Sequence, residues 1–134
     1  MKTAKYAFLA LAVLSLTACG SPTNPSNQPY TQTMSGTVSV FGTTRHALSI
    51  PQSGQMRLTL SWTGSTDLDL YLAPSSCQNL YPMSQCAVIV ASNSSSGTQE
   101  VIARGVSSGE SYAIFVDNLS ATAANTYNLN ITID

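Results

Sequence analysis

Two aspartates, Asp67 and Asp69, have the spacing that most directly suggests chemistry. Side chains two residues apart in a β-strand lie on one face, about 7 Å from each other. Two carboxylates at that distance repel each other unless water or a cation lies between them. Ca2+ prefers several oxygen ligands, and Asp117 would add to the set if its strand lies beside this one. The pattern predicts a calcium site or, alternatively, a solvated strand face whose charges discourage aggregation.

Cys77 and Cys86 are a second pair with chemical meaning. The residues between them are too many for a CxxC redox pair, and a chain with one histidine does not complete a zinc site. In an oxidising compartment the pair predicts one disulfide. That bond would hold Tyr81 and its loop rigidly for a ligand, or it would only shorten a long connection between strands.

Catalytic constellations are missing from the pattern. His46 is the only histidine, and no G-x-S-x-G nucleophile elbow or phosphate-binding glycine loop occurs. Two carboxylates on one strand, Asp67 and Asp69, do not flank a glycosidic bond. The sequence therefore predicts a protein that is not an enzyme.

Aromatic residues are the remaining candidates for binding. Trp62 shares the parity of Met56, Leu58 and Leu60, which indicates the core more than a platform for sugar stacking. Tyr71 lies on the face opposite Leu70 and Leu72 and, like Tyr81, is predicted to be exposed. An exposed aromatic row suits a polysaccharide or protein ligand, although scattered exposed tyrosines are also ordinary.

These side chains must be positioned by strands, because no window shows helical periodicity. Eight short segments alternate or run apolar, with Gly, Ser and Pro turn signals between them. The predicted strands are residues 37–41, 47–50, 55–62, 67–72, 87–91, 100–104, 112–117 and 127–133. Residues 87–91 (AVIVA) are apolar throughout, which is typical of a strand covered on both faces. The pattern predicts an all-β protein, a jelly-roll-like antiparallel β-sandwich of about eight strands.

The N-terminus has the features of an export signal. Lys2 and Lys5 precede a short apolar run, which ends in the small residues before Cys19. The sequence LTAC at 16–19 resembles the bacterial lipobox, which implies cleavage before Cys19 and acylation of that residue. We expect residues 1–18 to be a lipoprotein signal peptide, 19–35 a lipidated flexible tether, and 36–134 the folded domain. Gly20 after the cysteine, rather than Asp, favours the outer membrane under the enteric sorting rule.

Cleavage would leave an acidic protein. The cleaved chain would contain three arginines, no lysine and six carboxylate side chains, which gives a formal net charge of −3. Such a surface repels phosphate backbones, so nucleic acid is not an expected partner.

The segments GTVSV at 36–40, GQMRLTLSWTGSTDLDLYL at 54–72, GESYAIFVDN at 109–118 and YNLNITI at 127–133 resemble the bacterial pre-peptidase C-terminal (PPC) domain. The resemblance implies a small jelly-roll sandwich of a kind usually attached to secreted peptidases. Some members bind collagen or polysaccharide, and some bind calcium. Here no peptidase domain precedes the sandwich, so a targeting role for an attached enzyme does not carry over. We expect a non-catalytic envelope lipoprotein that binds a polysaccharide or a protein; the alternative is a structural or assembly component with no small ligand.

Overall fold

The computed structural model describes residues 28–134, which form eight strands in two four-stranded antiparallel sheets. The predicted all-β sandwich is confirmed. The strands are β1 (Tyr30–Val38), β2 (Gly42–Ser49), β3 (Gly54–Trp62), β4 (Leu68–Pro74), β5 (Val90–Ser92), β6 (Gln99–Val106), β7 (Ser111–Asn118) and β8 (Asn125–Ile133), with one 3-10 turn at Met83–Gln85. Across residues 28–134, no helix is long and apolar enough to span a membrane. The expectations for the signal peptide, Cys19 and Gly20 lie outside the described residues.

Sheet I has the strand order β1-β8-β3-β6. Its strands follow the predicted period of two, because one face packs inward and the other faces solvent. In β3 the buried residues are Met56, Leu58, Leu60 and Trp62, and the intervening polar residues are exposed or half-buried. Trp62 is confirmed as a core residue, 6% exposed, and its indole N–H donates to the Thr66 carbonyl at 2.6 Å.

Sheet II has the strand order β2-β7-β4-β5, and its two central strands do not alternate. Every residue of β4 from Leu68 to Ala73 is buried, and so is every residue of β7 from Tyr112 to Asn118. The expectation that Tyr71 is exposed was wrong: its side chain is only 6% exposed. The outer face of sheet II is therefore covered, although the alternation in β4 predicts a solvated face.

The prediction of a strand covered on both faces at residues 87–91 was also wrong. Only Val90–Ser92 forms a strand there, at the edge of sheet II, and its residues are half-buried or exposed. Residues 87–89 are loop, anchored by the Ile89 N–H donating to the Leu72 carbonyl at 2.8 Å. A short apolar run does not by itself distinguish a doubly covered strand from a loop that packs on a sheet.

The folded domain also begins earlier than residue 36. β1 starts at Tyr30 and pairs with β8 along its whole length, from Tyr30 opposite Ile133 to Val38 opposite Asn125. Residues 30–35, predicted as tether, are thus part of sheet I. Their polar composition hides an alternation in which Tyr30 and Met34 point inward and the threonines and Ser35 point outward.

Candidate functional site: a disulfide-held loop over buried carboxylates

The cover of sheet II is the segment 75–89, which we call the disulfide loop. Cys77 and Cys86 are bonded, with Cα atoms 5.4 Å apart, so the predicted disulfide is confirmed. Backbone hydrogen bonds close a turn at each end: the Cys77 N–H donates to the Pro74 carbonyl at 2.9 Å, and the Cys86 N–H donates to the Met83 carbonyl at 3.2 Å. The loop is therefore a compact element held by a cross-link and by turn hydrogen bonds.

A second apolar core lies between this loop and sheet II. It is separate from the main core between the sheets and consists of Tyr71, Ala73, Cys77, Leu80, Cys86, Ala113 and Phe115, with Val88 packed against it. Leu80 and Phe115 are 2% and 1% exposed. The small residues opposite each other in β4 and β7, Ala73 and Ala113, leave room for the loop's side chains to pack on the sheet. The residues that the sequence places on the outside of sheet II thus belong to a second core, and the disulfide loop forms a third layer over it.

Arg45 of β2 holds one end of the disulfide loop through two hydrogen bonds. Its Nε donates to the Cys77 carbonyl at 2.8 Å, and its Nη2 donates to the Ser75 carbonyl at 2.9 Å. The guanidinium thereby satisfies two loop carbonyls that no strand pairs. Sequence reasoning did not identify Arg45 as a site residue, because nothing in the sequence around it indicates that its side chain binds carbonyl groups of a distant loop.

Two buried carboxylates lie beneath the loop. Asp69 and Asp117 are directly opposite each other in the β4–β7 register, and they are only 7% and 2% exposed. The Tyr71 hydroxyl donates to Asp69 Oδ2 at 2.9 Å, and the Tyr81 hydroxyl donates to Asp117 Oδ2 at 2.6 Å. The Thr43 hydroxyl donates to Asp117 Oδ1 at 2.6 Å. The structure therefore brings together four of the residues that the sequence predicts as metal or ligand sites.

The electrostatics of this cluster favour hydroxyl donors. Burial raises the pKa of Asp69, and the Tyr71 hydrogen bond partly opposes that rise. Burial and the bond to Asp117 raise the pKa of Tyr81 to about 12. Burial and the bond to Asp69 raise the pKa of Tyr71 further still. Both phenols consequently keep their protons at neutral pH and act as donors to the carboxylates.

Asp67 lies apart from this hydroxyl network. Its Oδ1 and the Thr66 hydroxyl are buried with no hydrogen-bond partner. Thr66 and Asp67 line a cavity of about 350 Å³ together with Asp69 and the β7–β8 connection, where Leu119 is exposed. Burial and the charge of Glu100 raise the pKa of Asp67.

Three of the six carboxylate oxygens in the predicted calcium set accept hydrogen bonds from hydroxyl groups. Asp69 accepts one of these bonds and Asp117 accepts two, and no group of three or more His, Cys, Asp or Glu side chains within residues 28–134 is arranged to hold a metal ion. Calcium at Asp67, Asp69 and Asp117 stays a prediction.

A pocket of about 220 Å³, the loop pocket, lies where the disulfide loop meets β2 and β7. Buried Leu80 and Phe115 provide apolar walls, and Tyr81, half exposed, stands at the rim beside Arg45. Thr43, Gln78 and Asn79 complete the lining with one hydroxyl and two amides. Of the two predicted ligand-binding tyrosines, Tyr81 lines this pocket and Tyr71 does not.

Exposed apolar side chains concentrate around two sites on the described surface. Tyr81, Met83 and Ile89 of the disulfide loop are 47%, 46% and 37% exposed. The remaining large exposed apolar residues, at the β1–β2 and β7–β8 connections, are Val40, Phe41 and Leu119. Sequence reasoning named only Tyr81 among these six, because exposure depends on tertiary packing.

His46 lies at the inner side of β2, where it contacts Tyr127 of β8. Its Nε2 lies 2.7 Å from the Tyr127 hydroxyl, and the two rings meet edge to face with centroids 5.9 Å apart. Burial lowers the pKa of His46, so the neutral ring is favoured. Gly36 makes this arrangement possible, since a Cβ there would lie 2.8 Å from the Tyr127 hydroxyl oxygen.

The outer face of sheet I carries a different kind of surface. A groove of about 660 Å³ crosses β1, β8 and β3 at one end of the sheet. Its lining is mostly hydroxyl and amide side chains, together with parts of the two aromatic residues Trp62 and Tyr127: Ser35, Gly36, Thr37, Ser61, Trp62, Thr63, Thr126, Tyr127 and Asn128.

These features define a β-sandwich module with one loop-covered sheet and one solvated sheet. No protein-family model matches the chain, and no curated protein matches it. Several solved structures are similar to it in fold. The PPC domain of a collagenase from Bacillus anthracis is 15% identical, with a TM-score of 0.53, and the match covers 75% of this chain and 87% of that one.

Two further structures have the same architecture. PliG of Aeromonas hydrophila, a periplasmic inhibitor of g-type lysozyme, is 14% identical with a TM-score of 0.56, covering 84% of this chain and 93% of that one. The Yersinia pseudotuberculosis-derived mitogen is 19% identical with a TM-score of 0.56, covering 80% and 88%. At these identities the similarities establish a PPC-like sandwich fold, and function has to be argued from the site.

Proposed function

We propose that this protein is a non-catalytic binding module of the bacterial envelope, and that its disulfide loop recognises a protein partner. One observation carries the proposal: a single cross-linked loop exposes Tyr81, Met83 and Ile89, and Tyr81 also lines the loop pocket, which has apolar walls. Aromatic residues and Met are enriched at protein interfaces, and contacts on a rigid element lose little conformational entropy on binding.

The loop pocket suits one side chain of such a partner. Its volume of about 220 Å³ is below the range typical of small-molecule sites, which begins near roughly 300 Å³. Apolar walls with amide and guanidinium groups at the rim fit an apolar or aromatic anchor whose polar end remains hydrated.

A protein ligand is also compatible with the fold comparison. PliG is described as a lysozyme inhibitor, so a sandwich of this architecture can serve a protein whose function depends on another protein. A purified g-type lysozyme is therefore the first defined probe. Inhibition would identify the partner class, and lack of inhibition would remove this partner only.

The general test compares loop variants with variants of the other exposed apolar site. We expect the double substitution Tyr81→Ala and Met83→Ala to abolish capture of the native partner in crosslinking on whole cells. The matched control, Phe41→Ala and Leu119→Ala, removes comparable exposed apolar area and should retain capture. Equal loss in both variants, or in neither, would contradict recognition by the loop.

A polysaccharide ligand is the second candidate, and the hydroxyl- and amide-lined groove on sheet I favours it. Such side chains both donate and accept, as sugar hydroxyls do. Binding to insoluble glycan that is lost in Asn128→Asp and Thr126→Asp, but kept in the loop variant, would assign the function to the groove instead.

Envelope attachment belongs to the same proposal. We propose that Cys19 bears the lipid anchor. Labelled palmitate should enter the wild-type chain and not the Cys19→Ala variant, and the variant should appear in the soluble fraction. Label retained in Cys19→Ala would contradict the assignment.

A further inference from the structure

The four sheet edges of the described domain are not equally protected against pairing with another strand. β5 is only three residues long, and β6 carries Glu100, which is buried, and Arg104. β2 carries Arg45, whose guanidinium donates two hydrogen bonds to the disulfide loop. Short length, charged residues and covering loops are the usual ways in which proteins block an edge strand.

Within residues 28–134, β1 has none of these protections. It is nine residues long (YTQTMSGTV), and it contains no charge and no proline. It pairs with β8 on one side only, so alternate N–H and C=O groups of its backbone point away from the sheet. Nine residues of unblocked edge are an effective template for strand addition.

The inward side chains of β1 indicate that this edge is incomplete. Tyr30 and Met34 pack against the main core but are only half-buried, whereas every inward residue of the neighbouring β8 is buried. A further strand beside β1 would extend sheet I and cover both side chains. The burial of apolar area would then add to the backbone hydrogen bonds.

We propose that the free edge of β1 pairs with β1 of a second copy of this chain, antiparallel and centred on Met34. The sequence of β1 is self-complementary in that register. Thr31 lies opposite Thr37 of the second copy, and Thr33 lies opposite Ser35. On the inner face Tyr30 lies opposite Val38, an aromatic and β-branched pair of the kind that stabilises sheets.

The absence of charge on β1 permits a second copy as the occupant. Like-charged side chains directly opposite each other destabilise a strand pair, and identical strands with charges in such positions would oppose them. β1 brings together only hydroxyl, amide and apolar groups. The resulting interface is isologous, joins two copies of sheet I into an eight-stranded sheet, and leaves both disulfide loops on sheet II accessible. Two loops on one assembly would raise the apparent affinity for a repeated partner.

Charge placed at the edge tests the pairing. The variant Thr33→Glu with Ser35→Glu sets two pairs of carboxylates opposite each other across the two-fold axis. The matched control, Asn130→Glu with Asn128→Glu, places the same charge on the same face at the register partners in β8. By sedimentation of the full chain in density-matched detergent, we expect a dimer for the wild type and the control, and at least roughly tenfold weaker association for the edge variant.

Cysteine crosslinking tests the register. Copies with Thr33→Cys mixed with copies with Ser35→Cys should form a mixed disulfide dimer much faster than either variant alone. Self-crosslinking of one variant alone would overturn the Met34-centred register. A wild type that stays monomeric at every concentration would overturn the proposal. So would an edge variant that dimerises as well as the control, or β1 amides protected in a monomer, which would indicate another occupant.

Discussion

The two sheets of this sandwich are built from similar strands, yet only one of them has a solvated outer face. In sheet I, β3 and β8 alternate strictly, with buried residues at every second position. In sheet II, β4 and β7 are buried at consecutive positions because the disulfide loop covers the outer face. The comparison shows how a short cross-linked segment converts a surface into a second core. The same segment then exposes new side chains of its own.

The largest expected effect is on the second core. Phe115→Ala should lower the free energy of unfolding by about 3–5 kcal/mol, because it leaves a cavity under the loop. Val101→Ala on the outer face of sheet I, where the valine is half-buried, should cost less than about 1 kcal/mol. Urea unfolding monitored by circular dichroism provides both values. Equal costs would mean that the outer faces of the two sheets do not differ as described.

The disulfide should rank next. Replacing Cys77 and Cys86 by serine together should cost about 2–4 kcal/mol, since the open loop gains entropy in the unfolded state and the second core loses two members. Amide hydrogen exchange should rise in β4 and β7 and stay unchanged in β3 and β8. Uniform exchange across both sheets would instead indicate that the bond stabilises the whole domain.

The hydroxyl bonds to the carboxylates contribute a smaller amount. Tyr81→Phe should cost about 1 kcal/mol, because Asp117 loses one of two donors while buried. Tyr30→Phe is the matched control on sheet I, where the hydroxyl donates to the neutral Gln32 side chain at 2.8 Å. That substitution should be close to neutral. A larger cost for Tyr30→Phe would contradict the special role of the buried acid.

The smallest effect is the pH dependence from His46. In the unfolded chain this ring takes up a proton near pH 6.5, and burial lowers its pKa in the folded protein. The folded state therefore binds fewer protons, so the stability from the neutral ring is complete above about pH 6.5 and declines as the pH falls below it. Thermal unfolding between pH 5 and 7.5 should show this decline in the wild type and a shallower one in His46→Gln. Identical pH profiles would contradict it.

Much of the candidate site was accessible from the sequence, and the misses have identifiable causes. The pairing of Cys77 with Cys86 followed from cysteine count and spacing. The place of Tyr81 on the pinned loop also followed, and its side chain lines the loop pocket, while its role in ligand binding stays a prediction. The burial of Tyr71 did not follow, because alternation reports which side of a strand a residue is on and not what covers that side. Arg45 and Phe115 were missed for the same reason, since their partners belong to a loop that is distant in sequence.

By itself, the sequence determined the all-β class, the inward face of β3, the disulfide and the acidic composition of residues 19–134, which contain no lysine, because period, spacing and charge are local properties of the chain. The tertiary structure alone decided that Asp69 and Asp117 lie opposite each other under a loop, and that residues 30–35 are strand. Both outcomes depend on strand pairing over long sequence separations. The whole chain must pack before a polar segment such as residues 30–35 pairs with another strand. The same holds for the outer face of sheet II, which becomes buried only when the disulfide loop covers it.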